Sequence, residues 1–260
     1  MKTFLRTVYV IWLREVKRFY RERSRILGMI GQPLLYLLVM GNGLSATFRL
    51  PVPAPGFTYL EFMYPGIIGM SILFTAMFSS ISIVWDREFG FLKEVLVAPV
   101  PRAAIAAGKA LGGSTTAALQ GAILLILAPL VGVKLGLWTV FQVLLIMVLL
   151  AFAVTSFGTF IAARMESVES FQMVMSFLIM PLFMLSGAFF PLRSAPAWMQ
   201  GLMRLDPVLY GVDALRNVIL ADSPARSFAV QYALGYDLAV LAGVAVVMIL
   251  LGMQAFARAE

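Results

Sequence analysis

Long apolar stretches alternate along the chain with shorter charged ones. A helix needs about 20 mostly apolar residues to cross a bilayer. By this measure the sequence predicts six transmembrane helices, at 26–44, 63–85, 104–131, 138–163, 171–190 and 236–256. An alternation of apolar and polar residues with a period of two, which indicates a transmembrane barrel, is absent. The pattern therefore predicts an all-α integral membrane protein.

The start of the chain has a different pattern, in which apolar and basic positions both repeat at helical spacing. Ile11 and Phe19 fall on one face of the predicted helix, and Arg14 falls on the opposite face. Such a helix is typical of the membrane surface, with its basic side chains towards anionic headgroups. We therefore predict an amphipathic interface helix over 1–25 and a six-span membrane domain over 26–260. A basic tail that only sets the orientation of the chain is the alternative.

The distribution of positive charge predicts the topology. If the N-terminus is inside, most of the 20 lysines and arginines lie in the inner segments. Because the cytoplasmic loops of membrane proteins are enriched in these residues, both termini are predicted to be cytoplasmic. The formal charge of +7 is thus explained by orientation in a lipid bilayer, and we predict no nucleic-acid partner.

Composition excludes several classes of activity. Apolar residues make up 61% of the chain and charged residues 13%, against about 45–50% and about 25% in soluble domains. Cysteine and histidine are absent, which excludes disulfides, Cys/His zinc sites and histidine-dependent catalytic triads. The string closest to a phosphate-binding loop, at 103–110, lacks the first glycine and the final hydroxyl. The chain is therefore predicted not to be an enzyme alone, with no catalytic residue, metal or cofactor of its own.

Two connections between predicted spans have unusual patterns. The inner connection contains an amphipathic helix at about 87–99, which Pro99 and Pro101 end, because the residue before a proline is disfavoured in a helix. The outer segment, about 191–216, is too polar to span and too apolar for open solvent. We predict that it forms two short re-entrant helices before the sixth span. A purely interfacial helix and a surface-lying loop are the respective alternatives.

Three motifs in and around these connections resemble the ABC-2 type transporter permeases, in particular the branch of daunorubicin-resistance and nodulation-factor exporters. The first motif is Glu88–Arg102, followed by Gly108-Lys109. The second is Ser186–Pro191, followed by Pro196-Ala-Trp198. The third is Asp206–Arg216, in which relatives usually have Asn at the position of Asp206. The resemblance covers nearly the whole chain.

The resemblance implies roles for particular residues. The inner helix becomes a coupling helix that docks into a separate P-loop ATPase subunit, through Glu88, Gly90, Leu92, Glu94, Leu96, Pro99 and Arg102. The N-terminal helix also faces the ATPase, through Arg14, Glu15 and Arg18. The outer exit or gate is formed by Phe183, Phe189, Pro191, Trp198, Asp206, Pro207, Tyr210, Asp213 and Arg216. ATP and Mg²⁺ are bound by the ATPase subunit, and a second permease copy completes a homodimer.

The resemblance also implies a function, namely the permease subunit of an ATP-driven exporter in a bacterial-type inner membrane. Its substrate is expected to be amphiphilic, drug-like, or linked to a lipid or glycan. A non-transporting membrane scaffold or assembly protein and an ion-coupled secondary transporter are the alternatives. The second alternative is disfavoured, since Lys109 and Asp237 are the only ionisable Asp, Glu, Lys or Arg residues inside the predicted spans. Homodimer and heterodimer both remain open.

Overall fold

The computed structural model of the chain describes residues 2–21, 28, 31–41, 43, 57–90 and 100–258. Within these ranges the chain is helical and contains no strand, which confirms the predicted all-α class. A π-helical stretch occupies Tyr36–Gly41. The α-helices are α1 Lys2–Arg21, α2 Tyr59–Ser79, α3 Ile81–Glu88, α4 Arg102–Leu125, α5 Leu137–Ala162, α6 Val168–Leu185, α7 Ala197–Met203, α8 Pro207–Ile219, α9 Arg226–Ala229 and α10 Leu234–Arg258.

Four helical stretches in the described part of the chain are long and apolar enough to cross a membrane. They are Tyr59–Glu88, Leu137–Ala162, Val168–Leu185 and Arg226–Ala257, and they correspond to the second, fourth, fifth and sixth predicted spans. The protein is therefore a multi-pass membrane protein.

The two remaining predicted spans are not confirmed. The third, 104–131, is α-helical only to Leu125, and it contains glycines, hydroxyls and a buried lysine. The first, 26–44, is described only at 28, 31–41 and 43. The count of six spans therefore stays a prediction.

Helix α2 lies at the centre of the fold. Phe62, Met63 and Ile68 point to different sides of this helix, and each is at most 1% exposed. A helix that is apolar on every side is stable only when it is surrounded, and α2 packs against α4, α5, α6 and α8. Glycines allow the closest approaches, because a Cβ at Gly69 would lie 2.6 Å from a methyl group of Val212 in α8.

The N-terminal helix α1 packs along α4. Its inward stripe consists of Ile11, Glu15 and Phe19, spaced four residues apart. The predicted interface helix over 1–25 is thus helical over Lys2–Arg21, but one side of it is held by the rest of the chain. Its contact face includes Glu15, so the face that packs is not purely apolar.

Candidate functional site

The described part of the inner connection begins with α3, which follows α2 directly after Ser80. The last three residues of α3, Asp86, Arg87 and Glu88, are all charged. Gly90 follows with a φ of +79°, a backbone conformation that glycine adopts readily. The predicted coupling helix at about 87–99 does not begin as a separate helix at 87, because Arg87 and Glu88 belong to α3, which ends before Gly90.

Most of the predicted docking residues lie beyond this interruption. Leu92, Glu94, Leu96 and Pro99 fall outside the described residues, so their docking role stays a prediction. Arg102 is the first residue of α4, after Pro101 as the N-cap. The structure thus describes both ends of the connection, and each end is attached to a buried helix.

Four charged residues form an ionic cluster where α1, α3 and α4 meet. The members are Arg14, Glu15, Asp86 and Lys109. The ammonium of Lys109 lies 2.8 Å from a carboxylate oxygen of Glu15 and 2.5 Å from one of Asp86. The guanidinium of Arg14 lies 2.8 Å from the second oxygen of Asp86. Two cations thus balance two carboxylates.

This ionic cluster is shielded from solvent around Lys109, which is 4% exposed. The ammonium also donates to the hydroxyl and to the backbone carbonyl of Ser82, at 3.1 and 3.2 Å. A buried charge is tolerated only when it is paired and hydrogen-bonded, and Lys109 meets both conditions. The pairing requires α1, α3 and α4 to keep their relative positions.

Two glycines of α4 allow α1 to come close enough for these ion pairs. A Cβ at Gly108 would lie 2.7 Å from the Cβ of Ile11, and one at Gly112 would lie 2.5 Å from the Cβ of Glu15. Both distances are shorter than atomic contact permits, so the spacing of four residues provides a groove for α1. Trp12 adds a hydrogen bond of 3.0 Å to the Thr115 hydroxyl.

The predicted ATPase-facing residues of α1 make contacts within the chain. Glu15 is 9% exposed and pairs with Lys109, so its carboxylate is directed into the protein. Arg14 pairs with Asp86. Arg18 lies over the ring of Trp85, with 4.7 Å from its guanidinium carbon to the ring centroid. The ATPase-facing role of all three residues, which the resemblance implies, stays a prediction.

The other two charged residues of α3 reach the connection between α5 and α6. Arg87 donates to the carbonyl oxygens of Ala163 and Met165, at 2.9 and 2.6 Å, just after the end of α5. Glu88 accepts a hydrogen bond of 2.9 Å from the backbone N–H of Val168, the first residue of α6. A carboxylate is favoured at a helix N-terminus. Successive side chains of α3 therefore bind α1 and α4 on one side and α5 and α6 on the other.

At the opposite end of the bundle, α8 carries a second group of buried charged residues. Arg216 is 1% exposed and donates to the carbonyl oxygens of Gly187 and Ala188, at 2.7 and 3.2 Å. Its guanidinium carbon lies 4.0 Å from the ring centroid of Phe62. Burial lowers the pKa of Arg216 to about 10, so it remains a cation at neutral pH. Two of the recognised motifs, Ser186–Pro191 and Asp206–Arg216, therefore contact each other through this side chain.

Asp213, one turn earlier in α8, fixes the chain that leads into α10. Its carboxylate accepts hydrogen bonds from the backbone N–H groups of Gln231 and Tyr232, at 3.0 and 2.8 Å. Burial raises the pKa of Asp213, and these two donors oppose the rise. We refer to Asp213 and Arg216, with the backbone groups that they bind, as the α8 cluster.

The start of α8 follows from its sequence. Asp206 is the N-cap, and its carboxylate accepts a hydrogen bond of 2.9 Å from the N–H of Val208. Pro207 occupies the first helical position, where the missing N–H costs nothing. Burial raises the pKa of Asp206 to about 8. The predicted short helices before the last span are therefore present as α7 and α8, and whether they re-enter a bilayer stays a prediction.

Most of the residues predicted at the outer exit are buried inside the chain. Phe183 packs edge-on against Phe189, with 4.9 Å between ring centroids. Tyr210 is 6% exposed and donates to the carbonyl of Arg204. Trp198, by contrast, is 70% exposed. The largely buried members are Phe183, Pro191, Asp206, Tyr210, Asp213 and Arg216. In this conformation they hold the end of the bundle together, and a role in lining an exit stays a prediction.

Sequence reasoning did not assign a role to Asp86 or Lys109. The available signal was their position, since each charge stands in or next to a long apolar stretch, where an unpaired charge is costly. An apolar stretch that contains one acid and another that contains one base predict a pair. The structure shows that Asp86 and Lys109 form this pair. Glu15 pairs in addition with Lys109, and Arg14 pairs with Asp86.

Known proteins are similar to this chain in sequence over most of its length. Residues 6–220 match the family described as ABC-2 type transporter. The chain is 30% identical to "Inner membrane transport permease YadH" of Escherichia coli (strain K12), over 79% of this chain and 80% of that protein. It is 29% identical to a transport permease, ycf38, of Cyanophora paradoxa, over 82% and 74% of the two chains. It is 27% identical to "Nodulation protein J" of Rhizobium leguminosarum bv. viciae, over 83% and 84%.

The family match covers most of the chain, and it includes most of α1, the ionic cluster and all of α8. The resemblance predicted from the three motifs is therefore confirmed. Membership of this family in general implies a partner ATPase subunit. The chain belongs to the ABC-2 type transporter family, and it is a membrane transport permease.

Proposed function

We propose that the chain is the membrane-spanning subunit of an ABC exporter. It moves an amphiphilic, drug-like, lipid-linked or glycan-linked substrate outward across a bacterial-type inner membrane. A separate P-loop subunit binds ATP and Mg²⁺ and hydrolyses the ATP. The names of the relatives, an inner membrane transport permease and a nodulation protein, support the membrane location and the transport role. Both termini are cytoplasmic in this proposal.

The observation that carries the proposal is the set of contacts made by the end of α3. Asp86 binds α1 and α4, Arg87 binds the end of α5, and Glu88 binds the start of α6. Directly beyond these residues lies the connection that is predicted to dock into the ATPase. A displacement of that connection would therefore act on four helices at once.

The proposed mechanism follows from these contacts. ATP binding closes two ATPase subunits, and their movement displaces the docked connection over 91–99. The displacement is passed to α3, which is tied to its neighbours by ion pairs and short hydrogen bonds. A conformational equilibrium shifts only through a difference in interaction energy between its states. In this mechanism the docking contact supplies that difference, and the α3 contacts distribute it.

A second copy of the chain completes the proposed transporter as a homodimer, with the pathway between the two bundles. One face of α6 is compatible with this arrangement, because Met173, Phe177 and Met180 are 76%, 78% and 58% exposed. In a bilayer this apolar face contacts either lipid or the second copy. Interhelical contact in membranes depends on close packing, for which flexible Met side chains are well suited.

The docking contact is tested by charge reversal in the connection. The tagged chain is purified from its native membrane in mild detergent, its partners are identified, and ATP turnover is measured. We expect a P-loop ATPase in stoichiometric amount with the wild-type chain. Glu94→Lys should abolish its association, because it reverses a charge in the predicted docking helix. Asp222→Lys is the matched control, since Asp222 is exposed in the turn after α8, at the opposite end of the bundle.

Each outcome of this experiment is informative. Loss of the ATPase with Glu94→Lys, and its retention with Asp222→Lys, supports docking through the connection. Unchanged association and turnover with Glu94→Lys contradicts that assignment. A pure homo-oligomer without any ATPase contradicts the exporter and favours the non-transporting scaffold.

A further inference from the structure

A cavity of about 340 Å³ lies between α2 and the preceding segment, from which Gly28, Gln32, Pro33 and Tyr36 line it. Its volume falls at the lower end of the range of about 300–1,000 Å³ for small-molecule sites. It is separate from the ionic cluster and from the α8 cluster, since no residue of either cluster lines it. Neither the family match nor the contacts of α3 explain a space of this size.

The floor of the cavity is polar, although it lies deep in the bundle. The Thr75 hydroxyl donates to the side-chain carbonyl of Gln120 in α4, and Ser71 lies one turn away on α2. All three residues line the cavity, and each is at most 5% exposed. Thr75 lies near the middle of the 30-residue stretch Tyr59–Glu88. In a membrane this floor is therefore near the midplane, where water does not compete for hydrogen bonds.

Aromatic side chains form the walls of the cavity. Tyr36, Phe74 and Phe78 line the cavity beside the polar floor. The rings of Tyr36 and Phe74 are in turn supported by Phe183, at centroid distances of 6.1 and 5.9 Å. A rigid aromatic wall beside a few polar groups is the usual composition of a small-molecule site.

The described part of the cavity lining carries no charged side chain. Among the described residues that line the cavity, the polar side chains are those of Gln32, Tyr36, Ser71, Thr75 and Gln120, and none is an acid or a basic residue. Amides and hydroxyls can both donate and accept hydrogen bonds. An ionised group at this depth would have no counter-charge among these residues, and an unpaired charge is expensive there.

We propose that this cavity binds the uncharged, hydrogen-bonding part of an amphiphilic cargo, a hydroxyl-bearing or amide-bearing group, and excludes amphiphiles whose polar part is ionised. The inference rests on the proposed function, because it takes the occupant to be the exported substrate. Thr75 and Gln120 bind the polar group, and the aromatic rings bind the adjoining apolar part. The hydroxyl of Thr75 and the side-chain carbonyl of Gln120 bond to each other, and each oxygen keeps a further lone pair with which it can accept a hydrogen bond from a hydroxyl or amide of the cargo.

The test uses three photoactivatable probes with the same decyl chain and diazirine, which differ only in their headgroups. One is a glucoside, one a sulfate and one a trimethylammonium salt. Each is irradiated with the full chain in lipid nanodiscs, and the labelled peptides are identified by mass spectrometry. We expect the glucoside to label the part of α2 that contains Phe74 and Phe78, and the two charged probes to label it far less. This comparison needs no variant and no ATPase.

Substitutions then test the floor directly. Gln120→Leu keeps the size of the side chain but removes its hydrogen bonds, and it should lower glucoside labelling about three- to tenfold. Gln120→Glu should raise labelling by the trimethylammonium probe, since it adds the missing counter-charge. Gln142→Leu is the matched control, because Gln142 is a half-buried glutamine of α5 that does not line the cavity. It should leave labelling unchanged.

Equal labelling by all three headgroups, or glucoside labelling that Gln120→Leu does not reduce, overturns the proposal and leaves the cavity as a space filled by lipid chains. Absence of label from this part of α2 overturns it as well. These failures are distinguishable from failure of the proposed function, which is decided by the ATPase association described above. A chain that recruits an ATPase but does not discriminate between the probes is an exporter without this site.

Discussion

Charged residues are buried at both ends of the bundle, but they are bonded in different ways. In the ionic cluster, the charges of Glu15, Asp86 and Lys109 pair with one another, side chain to side chain, across three helices. In the α8 cluster, Arg216 and Asp213 bond to backbone groups of the segments that flank α8. The ionic cluster joins three separate helices. The α8 cluster holds the segments before and after α8 against that helix, and Arg216 also contacts Phe62 of α2.

This difference indicates what each end can do. An ion pair between two long side chains can be exchanged for another pair when helices shift, so its energy depends on the relative position of the helices. A side chain that binds two backbone groups fixes the path of the chain and has no equivalent alternative partner. The ionic cluster is therefore suited to respond to a moving partner, whereas the α8 cluster is suited to hold a fixed shape.

The largest expected effect comes from removing Lys109. Lys109→Met leaves the carboxylates of Glu15 and Asp86 buried without their shared cation, and breaking a buried pair in this way costs about 3–5 kcal/mol. We expect a decrease of that size in the free energy of unfolding, measured by denaturant titration of the detergent-solubilised chain. Lys134→Met is the matched control, because Lys134 is exposed in the connection before α5. Similar losses for the two variants would contradict the ionic cluster.

A double variant sharpens this result. Glu15→Met combined with Lys109→Met replaces one ion pair by apolar side chains of similar length, and Asp86 keeps its contact with Arg14. Such replacements are often neutral, so the double variant should recover more than half of the loss. Its ATP turnover in the proposed complex should nevertheless fall, because α1 and α4 then lack an exchangeable contact. Full recovery of both stability and turnover would show that the pair is only structural.

The next largest loss of stability is expected in the α8 cluster, at the other end of the bundle. Arg216→Leu leaves the carbonyl oxygens of Gly187 and Ala188 without their donor, and a lost hydrogen bond to a charged group costs about 1.5–3 kcal/mol. We expect faster amide hydrogen exchange in the segment after α6 and an unchanged association with the ATPase. Arg216→Lys should recover little, because an ammonium lacks the planar fork of a guanidinium. Loss of the ATPase with Arg216→Leu would show that the two ends are not independent.

A smaller effect is expected in the groove that holds α1. Gly112→Ala places a methyl group 2.5 Å from the Cβ of Glu15, and overpacking of this kind costs about 1–3 kcal/mol. Gly201→Ala is the control, since a Cβ there has nothing within 4 Å and α7 should gain from a better helix former. Melting temperatures should therefore shift in opposite directions. A stabilised Gly112→Ala variant would contradict the close contact of α1 with α4.

The smallest effect is the pH dependence of stability that Asp206, the N-cap of α8, produces. Because the pKa of Asp206 is raised to about 8 by burial, the folded chain binds its proton more tightly than the unfolded chain. Stability is therefore lost as the pH rises towards 8, by about 1 kcal/mol between pH 7 and pH 8. Asp206→Asn keeps the cap, since Asn caps as well as Asp, and should flatten this dependence. Thermal unfolding at several pH values measures it, and a parallel decline in the variant would assign the effect to another group.

The local features of the fold could be predicted from sequence, because they depend on patterns within one segment. The apolar periods predict α5, α6 and α10 to within a few residues, and Asp206-Pro207 marks the start of α8. The third predicted span was extended too far, since apolar residues continue after Leu125 into a short 3₁₀ turn at Ala128–Val131. Apolar character alone does not fix the end of a helix.

The contacts between segments could not be predicted in this way. Arg14 and Asp86 are 72 positions apart and Lys109 and Asp86 are 23 apart, so their pairing depends on which faces of α1, α3 and α4 meet. The same holds for Glu15, which the resemblance assigned to a partner surface and the structure pairs with Lys109. The motif Asp206–Arg216 was recognised, but the direction of its side chains into the protein requires the packed structure.

The groove on α4 also has a consequence for the order in which the chain is assembled. Helix α1 is synthesised first, yet the ammonium that balances Glu15 arrives 94 positions later in the chain. At about 5–20 residues per second, this delay is about 5–20 s. During that time Glu15 lacks the cation that balances it in the folded chain, and the face of α1 that packs on α4 has no partner. The last step of insertion at this end is therefore the capture of an early helix by a later one, and a ribosome-bound chain arrested before α4 should still expose Glu15 to water.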